Sequence, residues 1–177
     1  GMPGPMGSTG PNPNPLSVGN SIFVDAIYGK PAGEVENFIG PYININDAAT
    51  AAAALALARG VPSTVYVRPG SYTANLNLAR VNVNWYFEEG SKVDYVGNNM
   101  MFNATSSIPG FDIRGYGEFT TSRGNFIFSF SSPYEYNIEG KSVINSPTNL
   151  DRGAVCIRVQ NPTLKCRIKF ETVSLAS

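Results

Sequence analysis

The chain has 177 residues, enough for one domain with a hydrophobic core and short for two, and its 13 Lys and Arg balance its 13 Asp and Glu. That balance gives no long-range field toward nucleic acid or an anionic membrane, and the absence of histidine excludes His-containing catalytic triads and His-ligated metal centres. No run of about 18 apolar residues is present to insert in a bilayer, and the N-terminus lacks the basic-then-apolar order of a signal peptide, so export is expected to be handled elsewhere or the chain to be a processed fragment.

In chain order, residues 1–15 come first, reading GMP, GPM, GST, GPN, PNP. Glycine opens four successive triplets, at Gly1, Gly4, Gly7 and Gly10, and proline stands in three of the four intervening pairs. Only glycine fits at the axis where three polyproline-II chains meet, so this beat favours a triple helix over a flexible Gly/Pro linker, although four triplets alone would not hold three chains together. The segment resembles the end of a collagen-like stalk, which implies a homotrimer and an oligomerisation role for the four glycines. The register begins at Gly1 itself, without an initiator methionine, so further triplets are expected upstream or from another chain. Residues 16–177 read as the globular domain.

That domain opens with a short apolar run, Ile22, Phe23 and Val24, followed by Asp25 and a Gly/Pro-rich loop to about Tyr42. In "NINDAATAAAALALARG" the alanine-rich body predicts a helix over 47–59, with Asn46 or Asp47 as N-cap and Gly60 as left-handed C-cap. From Val61 onward short stretches rich in Val, Ile, Tyr and Phe alternate with Gly, Asn, Ser and Pro: "STVYVRPGSYT", "NLNL", "VNVNWYF", "KVDYV", "NFIFSFSS", "YEYNI", "SVIN", "AVCIRV" and "LKCRIKF". The body is predicted to be all-β with one helix.

A weak repeat runs through the strands. "FDIRG" at 111–115 aligns with "YNIEG" at 136–140, and "WYFEEG" from Trp85 lies 26 residues before Phe111. A period in the twenties is the mark of a solenoid, here about five coils. This alignment puts Trp85, Phe111 and Tyr136 at one core position and sets Glu88, Arg114, Glu139 and Arg158 in one outward row of alternating sign. Such a row helps set register and makes Glu88 and Glu139 structural.

Together, "SIFVDAIYGKPAG", "NDAATAAAALALARG" and "STVYVRPGSYTANLNL" resemble the opening of right-handed parallel β-helix proteins of the pectate-lyase-like class. The resemblance covers residues 21–90 best and implies a short β-helix whose N-terminal end is capped by the helix. It implies a fold more than an activity, because this scaffold serves lyases, hydrolases, tailspikes, adhesins and fibre proteins.

The residues for chemistry are scattered. Asp94, Asp112, Glu118 and Glu135 show no paired spacing, and adjacent Glu88 and Glu89 would point to opposite faces of a strand, so neither a calcium-binding acidic cluster nor converging carboxylates are indicated. No catalytic residue, metal ligand or cofactor is assigned. Tyr66, Tyr72, Trp85, Tyr86, Tyr95, Tyr134 and Tyr136 offer either a glycan-stacking surface or core filling, and Asn103 begins one glycosylation sequon, "NAT". On the last strand, Leu164, Cys166, Ile168 and Phe170 alternate with Lys165, Arg167, Lys169 and Glu171, placing Cys166 inward and a basic row outward. Cys156 shares a face with Ala154 and Arg158, so the two cysteines disagree in facing and no disulfide is assigned.

The expectation from the sequence is a structural subunit of an extracellular fibre, bacterial appendage or virion fibre, a homotrimer or higher homopolymer. The alternatives are a fibre head binding a glycan or cell-surface receptor, and a carbohydrate-active enzyme. Nucleic acid and membrane insertion are not expected, and the location is extracellular, at a cell or virion surface. The C-terminal segment from Gly153 must cap its end of the solenoid or meet another subunit, because an open sheet edge invites strand addition.

Overall fold

The computed structural model describes residues 20–36, 39–105, 107–123, 126–146, 156–161 and 163–175. The stalk segment 1–15, with Gly1, Gly4, Gly7 and Gly10, lies outside them. The strands are β1 (Ser21–Val24), β2 (Ser63–Val67), β3 (Gly70–Ala74), β4 (Val83–Phe87), β5 (Ser91–Tyr95), β6 (Phe102–Ala104), β7 (Asp112–Gly115), β8 (Glu118–Thr121), β9 (Phe128–Phe130), β10 (Glu135–Asn145), β11 (Ile157–Val159) and β12 (Lys165–Leu175). Among the described residues one α-helix, α1 (Ile45–Arg59), and a 3-10 turn at Ala32–Glu34 complete the elements.

Every strand pairing among the described residues is parallel. Nine strands form one curled sheet in the order β1-β2-β4-β7-β10-β8-β5-β3, with β12 alongside β10, and β6, β9 and β11 form a second sheet. The curl has a simple cause: the long β10 pairs with β7 through Asn137 and Ile138, and with β8 through Ser142–Asn145. The first row is therefore β1, β2, β4, β7, the first half of β10 and that of β12. The second row is β3, β5, β8 and the second halves of the same two strands.

Within each row the side chains alternate. In β2 Ser63, Val65 and Val67 are buried while Thr64 and Tyr66 are half-exposed, and β4 and β5 repeat the pattern. The inward positions of both sheets meet in one core dominated by aromatic rings. Phe119 stands edge-on to Phe87 at 4.9 Å and to Phe128 at 5.4 Å, and Trp85 stacks on Phe87 at 5.7 Å. Truncating one such ring to Ala costs about 3–5 kcal/mol.

Helix α1 lies over the end of the stack at β1. Its inward alanines, Ala48, Ala49, Ala52 and Ala56, are buried, and only such small side chains let the helix approach the sheet closely. The buried Ser63 hydroxyl donates to Ala52 O at 2.6 Å. At the helix N-terminus, Asn46 Oδ1 accepts from the N–H groups of Asn75 and Leu76, and its Nδ2 donates to Thr73 O. The first row is finished by the loop after β1: Phe23 N–H donates to Ile39 O, Tyr42 N–H donates to Phe23 O, and Tyr42 bridges Val24 on one side and Lys30 on the other.

Several expectations change in detail. The helix starts two residues before 47, and its cap is Asn44, whose Oδ1 accepts from the N–H groups of Asn46 and Asp47; the expected caps Asn46 and Asp47 are inside the helix. Gly60 does close it, at φ 70°. "NLNL" is not a strand, because Asn77 turns its amide to the backbone of Ala79 and Asn103. "YEYNI" and "SVIN" merge into β10. The 25-residue step holds between Asp112 and Asn137, whereas the preceding step is 28 residues, from Asn84 to Asp112. Trp85 thus pairs with Ile113 rather than sharing a position with Phe111, although Trp85, Phe111 and Tyr136 are all buried.

Candidate functional site

The corrected register rewrites the outward row. Phe23, Tyr66, Tyr86 and Arg114 are successive partners in the first row, and Glu139 pairs onward with Lys169. Arg114 and Glu139 do stand on neighbouring strands, with Glu139 Oε2 accepting from the Gly115 N–H at 3.2 Å. Glu88 and Arg158 leave the row. The 28-residue step puts Tyr86 beside Arg114, and Arg158 belongs to β11, where it pairs with Ser129 in the other sheet and covers the Phe126 ring. The row is aromatic at the helix end and charged toward β12.

These charges are held by local partners. Arg114 reaches Asp112 at 3.2 Å, an exposed pair that contributes about 0–1 kcal/mol. Asp112 is also held by Asn137 Nδ2, and its N–H donates to Asn84 Oδ1, so a ladder of amides and a carboxylate links three strands. Between Tyr86, Arg114, Tyr116, Glu139, Lys169 and Glu171 runs an open groove of about 340 Å³. It presents two tyrosine rings, two cations and two carboxylates.

The other carboxylates do not converge. Glu118 pairs with Lys92, Asp94 accepts from the Thr120 hydroxyl, and Glu135 stands opposite Lys165. Among the described residues no group of three His, Cys, Asp or Glu side chains is placed to hold a metal ion. Of the tyrosines and tryptophan, Tyr72, Trp85, Tyr95 and Tyr136 are buried core, Tyr66 and Tyr86 are half-exposed, and Tyr134 is exposed. Burial holds the Tyr72 hydroxyl proton, pushing its pKa up to about 12, with its oxygen accepting from Ala26 N–H and its proton directed to Arg68 O. Asn103 sits within β6, its backbone clasped by Asn77.

The two ends differ more than the sides. At the β12 end Leu164, Cys166, Ile168 and Phe170 face inward as expected, yet all four are only half-buried. Lys165, Arg167, Lys169 and Glu171 are exposed. Both cysteines are thiols: Cys156 is buried and donates to Val143 O at 3.8 Å, and burial pushes the Cys166 pKa up to about 11. At the helix end, Ala54, Leu57 and Ala58 of α1 face outward, Leu57 with 86% of its surface exposed. That apolar outer helix face went unread in the sequence, although the lack of any polar stripe in "AATAAAALALA" was its signal.

No helix among the described residues is long and apolar enough to cross a membrane. Comparison of the chain with protein-family models, curated proteins and solved structures returned no significant match.

Proposed function

We propose that the chain is a structural subunit of an extracellular fibre, a bacterial appendage or a virion fibre, built as a short right-handed parallel β-helix behind a collagen-like stalk. The observation that carries this reading is the contrast between the ends: a helix over one, and at the other an inward strand face, Cys166, Ile168 and Phe170, left half-buried. A self-contained enzyme or carrier gains nothing from an open core end, whereas a repeating subunit uses it as a joint. The in-register stacking of parallel strands in rows supports the β-helix, and parallel crossovers are right-handed in about 98% of cases. The glycine beat at Gly1, Gly4, Gly7 and Gly10 supports joining of three chains at the stalk. Electron microscopy of the purified full chain tests the reading: regular fibres or stalked trimeric particles are expected, and isolated single domains at every concentration overturn it.

A glycan- or receptor-binding fibre head is the second reading, favoured by the open groove beside Tyr86 and Tyr116. Its polar rim and ring faces suit a saccharide. Tyr86→Ala would abolish glycan retention on an array of surface polysaccharides under this reading, and an array with no retained glycan removes it. The scattered carboxylates weigh against catalysis.

A further inference from the structure

The two ends of the stack carry complementary surfaces. Among the described residues, six of the twelve exposed large apolar side chains fall between residues 27 and 61, at the helix end: Ile27, Tyr28, Ile39, Ile43, Leu57 and Val61. A helix that is apolar on both faces belongs between two packed layers, and among the described residues α1 has one, on its inner side. At the β12 end the missing cover is over Cys166, Ile168 and Phe170, since among the described residues no strand pairs with the outer side of β12.

The charges match in the same sense. The helix end exposes Glu34 and Glu36, with Asp47 half-exposed, against two exposed cations, Lys30 and Arg59, the latter turned to Asn20 Oδ1 at the helix C-terminus. The β12 end exposes Lys165, Arg167 and Lys169 against Glu171. One end is weakly acidic, with its carboxylates Glu34 and Glu36 gathered in the loop away from Arg59 in sequence, and apolar; the other is basic and apolar.

Resting on the structural-subunit reading, we infer that the occupant of the open β12 end is the helix end of a second copy of this chain. Ala54, Leu57 and Ala58 of one copy cover Cys166, Ile168 and Phe170 of the next, with Glu34 and Glu36 facing Lys165 and Arg167. The outer edge of β1 is already paired by Ile39 and Tyr42, so the joint is made by side-chain packing and charge, not by adding a strand to β1. Such a contact joins unlike surfaces, does not close in pairs, and propagates as a string.

A charge-swap experiment on the full chain tests this. One variant carries Glu34→Lys and Glu36→Lys, the other Lys165→Glu and Arg167→Glu; all four sites are exposed, and equal melting temperatures check that both variants fold. Each alone should need roughly tenfold or more higher concentration to form strings, because like charges now face each other at the joint. Mixed in equal amounts, the two should assemble as the wild type does. As a second readout, Cys166 alkylation should slow as the wild type assembles, with buried Cys156 as internal reference. Wild-type strings that persist unchanged in both single variants, or a mixture that restores nothing, overturn the inference while leaving the structural-subunit reading standing. The same holds for stalk-joined trimers that never lengthen. A wild type that stays a single chain at all concentrations overturns both.

Discussion

Gly115 pairs with Phe87 on the neighbouring strand of the first row, and its replacement measures how strictly the stacking fixes the backbone. Its φ is +100°, and a Cβ there would stand 2.1 Å from Phe87 O and 3.0 Å from Phe87 C. In Gly115→Ala the left-handed backbone costs about 1–3 kcal/mol and the forced backbone shift about 1–3 kcal/mol more, offset by about 0.4–1 kcal/mol from the stiffer unfolded chain, for a net loss of about 3 kcal/mol. Two comparisons separate the causes. Gly60→Ala meets open space at φ +70° and should lose only about 1 kcal/mol, while Gly33→Ala has neither a positive φ nor any atom within 4 Å and should be neutral or slightly stabilised. Urea unfolding of the three variants at one protein concentration gives the differences. A Gly115→Ala variant within about 1 kcal/mol of Gly33→Ala would refute the Phe87–Gly115 pairing and the row register with it.

Asn46→Ala should destabilise by about 2–4 kcal/mol in the same assay, because it strips the partners from the Asn75 and Leu76 N–H groups; a loss below about 1 kcal/mol would mean the helix is not stapled there. Phe119→Ala should cost about 3–5 kcal/mol, since its ring touches Phe87, Phe102, Phe128 and Phe170; a neutral result would place Phe119 outside the core. Cys166 and Tyr72 keep their protons in the folded chain up to about pH 11 and 12, whereas unfolded thiols and phenols release theirs near 9 and 10. Stability is therefore full below about pH 9 and falls as pH rises to 12, which melting temperatures across that range check; a rise there contradicts the burial of both groups. Deleting 164–177 removes β12 and bares the β10 edge, so light scattering should report aggregation, and a soluble, normally assembling truncation would contradict the role given to β12.

What the sequence disclosed and what it hid divide along physical lines. Alternation along "LKCRIKF" and the helix signals around Gly60 are local, and both appear where expected. The 25-residue step between Phe111 and Tyr136 was legible because "FDIRG" and "YNIEG" match residue by residue. The 28-residue step was not: Phe87 pairs with Gly115 but Lys92 with Glu118, so the turn after Phe87 holds two residues more than the one after Gly115, and that slip moved Glu88 off the charged row and brought Tyr86 on. Arg158 was misplaced for another reason, since nothing local distinguishes a strand of the first row from one in the second sheet. The structural amides were also hidden. Asn46, Asn77 and Asn84 look like turn residues, and only the fold brings a backbone N–H from a distant segment to each. The half-buried face of β12 follows from which strand ends the stack, a property of the whole chain.

A subunit made to join copies of itself must grow in mass as its concentration rises. Sedimentation of the full chain over a wide concentration range measures that directly. Species at multiples of three 19.0 kDa chains that lengthen with concentration are expected, and a single 19.0 kDa species at every concentration would rule out a self-joining subunit.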